Sequence, residues 1–278
     1  MKKDGGKIRN LVLTTIFVLP FYLNANAQLS LAPVGARAAG LANITTIETD
    51  IWSAINNPGS LGVIKDFGIG ILHEQRFLME EMGVSSIVGA FPLFGNSVGI
   101  YLSNLGFSTY GQNRFGLSIG RQIGEFISVG VGVDAHLLRF PEDYSNLFSI
   151  NGNVGVWANP AENLTLGLYV FNLTFSKWND EENSPLPIVF SLGASYKITE
   201  QILLCAELTK DIDEAARVKI ATEFNLVKTL FLRVGIISEP FEMHFGIGYN
   251  YKNLQFDLAL SRHPVLGYTP QVGISIKL

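Results

Sequence analysis

From residue 67 to residue 278 apolar side chains recur at every second position, in short runs separated by turns. In 229–237 the apolar set is Leu230, Leu232, Val234 and Ile236. In 242–251 it is Phe245, Ile247, Tyr249 and Tyr251, with His244, Gly246, Gly248 and Asn250 between them. The next run sets Phe256, Leu258 and Leu260 against Gln255, Asp257, Ala259 and Ser261, and the last sets Val272, Ile274, Ile276 and Leu278 against Gln271, Gly273, Ser275 and Lys277. A period of two puts each set on its own face of a strand. A soluble sandwich alternates too, but its outer face is rich in Lys and Glu. Here the second face is mostly Gly, Ser, Asn and isolated charges, which suits the lumen of a transmembrane barrel.

The pattern predicts an all-β fold, an antiparallel transmembrane β-barrel of about fourteen strands occupying 67–278. The strands are expected at 67–76, 83–91, 97–104, 114–121, 126–137, 148–157, 164–172, 188–196, 202–209, 218–225, 229–237, 243–251, 255–261 and 271–278. Connections after even-numbered strands are short and are expected at the periplasmic end. Those after odd-numbered strands are generally longer and are expected outside the cell. Charged residues make up only 16% of the chain, aromatics 11%, and mean hydropathy is +0.27. No apolar run after residue 23 approaches the roughly 18 residues of a spanning helix. A closed barrel is the remaining way to cross lipid with every backbone polar group paired.

Residues 1–27 read as a signal peptide: Lys2, Lys3, Lys7 and Arg9 precede an apolar core, and Ala25-Asn26-Ala27 offers a cleavage site. Its removal takes four bases and one acid, moving the net charge from −4 to −7, which argues against nucleic acid as a partner. The expected location is the outer membrane of a Gram-negative-type bacterium, with its lipid as one partner. The single cysteine, Cys205, lies within an expected strand and forms no intramolecular disulfide.

Residues 28–66 lack strand alternation and are rich in small side chains, with a possible short helix between Pro33 and Asn57. A fourteen-stranded barrel leaves internal room, and this leader is expected to plug its periplasmic end. Gly35, Ala36, Ala38, Ala39, Gly40 and Ala42 allow close approach to the wall, Arg37 is the long donor, and Asn56, Asn57 and Pro58 are expected to turn the chain toward the first strand.

The runs Gly35–Ala42, Asp50-Ile51-Trp52-Ser53-Ala54 and Asn56-Asn57-Pro58-Gly59-Ser60-Leu61-Gly62 resemble the N-terminal signature of FadL-like outer-membrane proteins, most closely the PorV/PorQ branch. The resemblance implies a fourteen-stranded barrel with this segment packed into its periplasmic end. It also implies two possible roles. PorV/PorQ proteins serve type IX protein secretion, which means docking to another outer-membrane or secretion protein. The transporter branch passes hydrophobic molecules through a lateral opening.

The lumen bears on that choice. By alternation it carries Arg114, Asp134, His136, Glu207, Lys219, Glu223, Arg233 and Asp257. Folding the hairpins about Asp213, Lys228 and Gly124 sets Glu207 opposite Lys219, Glu223 opposite Arg233 and Arg114 opposite Asp134. A polar interior of mixed sign places docking ahead of transport in this reading, since an apolar conduit needs a continuous apolar pocket. Asp134 and His136, two apart on one face, could serve a hydrolytic site, but no motif marks a nucleophile and hydrogen bonding in the lumen is the simpler role. His73, His136, His244 and His263 lack ligand spacing. The sequence therefore calls for no enzyme, metal or cofactor. The segment 178–187, with Asp180, Glu181 and Glu182, is either a partner contact or a solvated loop.

Overall fold

The computed structural model describes residues 33–107, 110–141, 145–178 and 185–278. Residues 1–32, which include the expected signal peptide, and the acidic stretch 180–182 lie outside them. The strands are β1 (Gly68–Gln75), β2 (Gly83–Leu93), β3 (Asn96–Gly106), β4 (Gly111–Ile123), β5 (Ile127–Arg139), β6 (Leu147–Ala161), β7 (Leu164–Phe171), β8 (Val189–Thr199), β9 (Ile202–Asp211), β10 (Arg217–Val227), β11 (Leu230–Ile237), β12 (Glu242–Tyr251), β13 (Leu254–His263) and β14 (Gly267–Lys277). Each pairs antiparallel with its sequence neighbours, and β1 pairs with β14, so the sheet closes on itself. Closure leaves no unpaired strand edge facing lipid. Among the described residues no helix is long and apolar enough to cross a membrane.

Alternation sorts the side chains as the pattern requires. Ile71, Val131, Leu192, Ile247 and Leu258 stand exposed on the outer face, while Asp134, Glu207, Lys219 and Arg233 are buried inside. Ladder irregularities fall at Ala158/Ala161, Lys197/Thr199 and Asn225/Val227, all beside short turns. The strands reach further into the long connections than the sequence suggested: β3 and β4 run to Gly106 and from Gly111.

One register departs from the hairpin arithmetic. β4 and β5 fold about Glu125, so Arg114 lies opposite His136, and Asp134 lies opposite Gly116. The connection is the three residues Gly124 to Phe126, with Gly124 at φ 72°, which moves the fold centre one residue beyond Gly124. Partners therefore shift by two, which preserves the face and leaves Arg114 diagonal to Asp134.

Residues 33–66 run through the lumen as three single turns, α1 (Ala36–Gly40), α2 (Ser53–Asn56) and α3 (Pro58–Leu61). Gly35 enters α1 at φ 137°, and a Cβ there would lie 3.3 Å from Trp52 Cγ. Ala42 and Asn43 take left-handed angles and stop the helix. Asn56 clamps the entry, accepting from Val34 N at 3.0 Å and donating to Val34 O at 2.7 Å. The expected turn at Asn56-Asn57-Pro58 is instead a helix start. The Asn57 carboxamide oxygen accepts from Gly59 N at 2.9 Å, and Pro58 occupies the first helical position, where a missing N–H costs nothing.

α1 packs on β11–β14, α2 on β2–β4 and α3 on β3–β7. Ile51 sits against Gly68 of β1, Thr46 against Gly167 and Gly193 of β7 and β8, and hydrogen bonds described below add β9 and β10. The segment thus touches all fourteen strands. Its lowest part lies at the short-turn end, where Ser97 Oγ donates to Ile64 O at 2.5 Å. Leu41, Ala42, Ile44 and Ile47 form an apolar cluster with Cys205, Ala221 and Ile237 of the wall, and Cys205 is fully buried beneath them.

That burial makes Cys205 a reporter of seating. A Cβ on Gly167 would fall 2.2 Å from the Thr46 backbone oxygen. Gly167→Ala should therefore cost about 1–3 kcal/mol of seating by overpacking. Maleimide labelling of Cys205 in folded protein should rise severalfold while the heat-modifiable gel shift of a closed barrel is retained. Labelling unchanged from the parent would contradict this packing.

Candidate functional site

Three polar constellations line the lumen; two hold the inner segment through short bonds, and the third reaches it once. In the first, Glu207 accepts from Thr45 N and Thr46 N, each at 3.0 Å, and from Thr46 Oγ1 at 2.8 Å. Its other oxygen accepts from Lys219 Nζ at 2.7 Å, and Lys219 also donates to Asn43 O at 2.7 Å. Glu207 and Lys219 are directly opposed on β9 and β10. The pair joins wall to wall and wall to segment at once.

In the second, Arg37 grips Glu223 with Nε at 3.2 Å and Nη2 at 3.1 Å, and reaches Glu48 Oε1 with Nη1 at 2.9 Å. Glu223 also accepts from Arg233 Nε at 2.6 Å, and Arg233 Nη1 continues to Asp257 at 2.6 Å. Glu223 and Arg233 are opposed on β10 and β11. Nearby, Gly40 and Gly246 meet so closely that a Cβ on Gly40 would lie 2.9 Å from Gly246 Cα. His244 Nδ1 donates to Ala39 O at 2.8 Å, since a carbonyl can only accept.

The third constellation lies in the wall, with one long bond of 3.4 Å from Arg114 Nη2 to Ile55 O of the inner segment. Asp134 accepts from Arg114 Nη2 at 2.7 Å, Arg114 Nε at 3.0 Å, Asn153 Nδ2 at 2.8 Å and the Tyr101 hydroxyl. Gly116 stands opposite Asp134, and its bare Cα lets the Tyr101 ring cross. Four donors occupy this carboxylate, which leaves it no proton to take as a general base. His136 bonds Asn151 Oδ1 at 2.7 Å rather than Asp134. The hydrolytic pairing is not formed. Among the described residues no group of His, Cys, Asp or Glu is arranged to hold a metal.

Above the inner segment, toward the long connections, lies a cavity of about 460 Å³. Pro33, Asn43, Thr45, Ile55 and Asn56 form its floor, and Tyr169, Phe171, Val189, Ser191 and Ile237 stand in its wall. Glu74, Asp211, Glu214, Glu239 and Glu242 reach it from the rim, with Arg76 and Arg217.

The sequence named Gly35, Arg37, Gly40, Asn56, Asn57 and Pro58, and the structure places all six in the inner segment. It did not single out Glu48, Tyr101 or Asn153. Tyr101 could have been found as a large side chain on the small-residue face of its strand. Glu48 carried no pattern, being one acid in a nonperiodic stretch.

No protein-family model and no curated protein sequence matches the chain. Solved structures do match. The Pseudomonas putida toluene transporter TodX superposes with a TM-score of 0.68 at 13% identity, over 90% of this chain and 98% of that one. The Ralstonia pickettii toluene transporter TbuX gives 0.63 at 12%, over 89% and 98%. A Pseudomonas aeruginosa FadL homologue gives 0.61 at 11%, over 88% and 98%. At these identities the likeness shows a shared barrel fold and nothing finer. The finer resemblance to PorV/PorQ proteins rests on the leader motifs alone.

Two outcomes follow from the segment's anchors. Arg37→Ala leaves the buried Glu48 carboxyl without its hydrogen-bond donor and takes one of two guanidiniums from Glu223, which keeps Arg233. Leaving a buried polar group unsatisfied costs about 1–3 kcal/mol. Cys205 labelling should rise sharply, and labelling equal to the parent would contradict the anchor. Glu48 supplies the second. Burial, reinforced by neighbouring Asp50, pushes its carboxyl well above the ordinary carboxylate range, against the pull of Arg37. A group raised on folding stabilises fully below its ordinary range, and loses that contribution as pH rises through the raised value. The advantage of Glu48→Gln over the parent, read as the midpoint of the gel-shift melt, should therefore widen as the pH is raised from about 5 to alkaline values. A constant gap would show that Glu48 does not titrate in this interval.

Proposed function

We propose that the protein is an outer-membrane conduit for small molecules with an apolar body, with the inner segment as its closure on the short-turn side. The observation that carries this reading is the cavity between the long connections and the segment. Its volume of about 460 Å³ falls within the roughly 300–1,000 Å³ of small-molecule pockets. Tyr169, Phe171, Val189, Ile237 and Ile55 give it apolar surface. The shared fold with toluene transporters supports transport over docking.

The polar lumen, which weighed toward docking on sequence grounds, has a different use. Glu207, Lys219, Glu223 and Arg233 are engaged by one another and, apart from Arg233, by the inner segment directly. Arg114 and Asp134 are engaged by one another and the wall, and Arg114 also by Ile55 O of the inner segment. Charges committed in this way do not oppose an apolar ligand above them. They hold the floor on which it would rest.

Uptake of radiolabelled toluene by cells expressing the protein tests the reading. It should exceed uptake by cells without the protein. Ser191→Trp, which puts a large side chain into the cavity from a lumen-facing position, should return it to background. Equal uptake in all three strains would sink the transport reading and restore docking. Porin-like conductance of the intact protein in planar bilayers would instead identify an open diffusion channel.

A further inference from the structure

We infer that the cavity selects by charge, taking cationic and neutral aromatic molecules and rejecting organic anions, with Asp211 as the determinant. The inference rests on the transport reading above and names the ligand class for that site. Five carboxylates reach the cavity from its rim, Glu74, Asp211, Glu214, Glu239 and Glu242, against two guanidiniums, Arg76 and Arg217. Arg76 Nε pairs with Glu74 at 2.7 Å, and Arg217 pairs with Glu214. Deeper down, Lys219 is matched by Glu207 and Arg114 by Asp134. Among the described residues Asp211, Glu239 and Glu242 are then the three rim carboxylates with no Arg or Lys partner.

Histidine can cancel at most one of these three. His244 Nδ1 donates to Ala39 O and its Nε2 faces Glu242 at 3.3 Å, so a ring carrying both protons would neutralise Glu242 and still leave Asp211 and Glu239. His263 Nδ1 accepts from Val265 N at 3.2 Å and Leu266 N at 3.0 Å. These bonds need no charge on that ring.

Asp211 is the most specific of the three. It is 8% exposed, lines the cavity, and accepts one backbone N–H, from Asp213 at 3.2 Å. Among the described residues it forms no ion pair. A carboxylate so far removed from water and lacking a counter-charge gains from any cation brought beside it. The strand registers place that cation's attached ring. Phe171 is opposite Val189, and Val189 is opposite Asp211, so the three form a row across β7, β8 and β9. Directly opposed side chains have Cβ atoms about 4.5–5.5 Å apart. A single aromatic ring resting along this row thus brings a one-carbon ammonium substituent to Asp211. The low-dielectric barrel wall concentrates the field of the excess carboxylates at the mouth, drawing cations in and turning anions away.

Three probes with a common ring test this: benzyltrimethylammonium, benzyl alcohol and benzoate, titrated calorimetrically into the full chain in nonionic detergent. At low ionic strength benzyltrimethylammonium should bind at least about tenfold more tightly than benzoate, and added salt near 0.5 M should largely erase the ratio. Asp211→Asn should reduce the ratio severalfold, and Glu239→Gln, an exposed rim change that leaves the strands untouched, should reduce it less. Benzoate binding as tightly as benzyltrimethylammonium would overturn charge selection while leaving transport in place. An undiminished ratio in Asp211→Asn that still shows the heat-modifiable shift would overturn the role of Asp211. Failure of all three probes to bind would overturn this inference together with the transport reading beneath it.

Discussion

Lipid offers the backbone no hydrogen bonds, and the rest of the structure follows from that constraint. Fourteen strands satisfy it by pairing in a ring, β1 against β14. Once the ring is closed, the two faces of every strand meet different solvents, so apolar side chains go out and polar ones go in. A ring of this size is too wide for its own side chains to fill. The interior must then take up another part of the chain, or water.

The inner segment answers this need through small residues and a few committed charges. Small side chains let it approach the wall, as where Gly40 meets Gly246. Arg37 then ties α1 to Glu223, and Glu207 receives Thr45 and Thr46. Because these bonds lie in the lower lumen, the space above remains free. The filled side of the lumen and the cavity on the other come from one arrangement.

Much of this was legible in the sequence. A period of two is unambiguous over ten residues, so strand number, order and facing could be read directly, and hairpin symmetry placed Glu207 opposite Lys219 and Glu223 opposite Arg233. Arg114 and Asp134 were set two positions out of register because the centre of the hairpin depends on turn geometry at Gly124, which the flanking alternation does not encode. Asn57-Pro58 reads equally well as a turn or as a helix start, and only the packing of α3 on β3–β7 selects the second. Glu48 and Tyr101 gain meaning from partners distant in the chain, Arg37 and Asp134. The choice between docking and transport turned on the lumen charges, whose consumption by the inner segment no local pattern reveals.

The central claim is that the lumen holds its own N-terminal segment below and an apolar-walled cavity above. A crystal of the protein soaked in bromobenzene addresses it directly, since anomalous scattering locates each bromine. The structure predicts a bromine site inside the barrel, between Phe171, Val189 and Ile55, above an ordered segment with Arg37 on Glu223. Bromine confined to the lipid-facing surface, or a lumen from which residues 33–66 are absent, would contradict it.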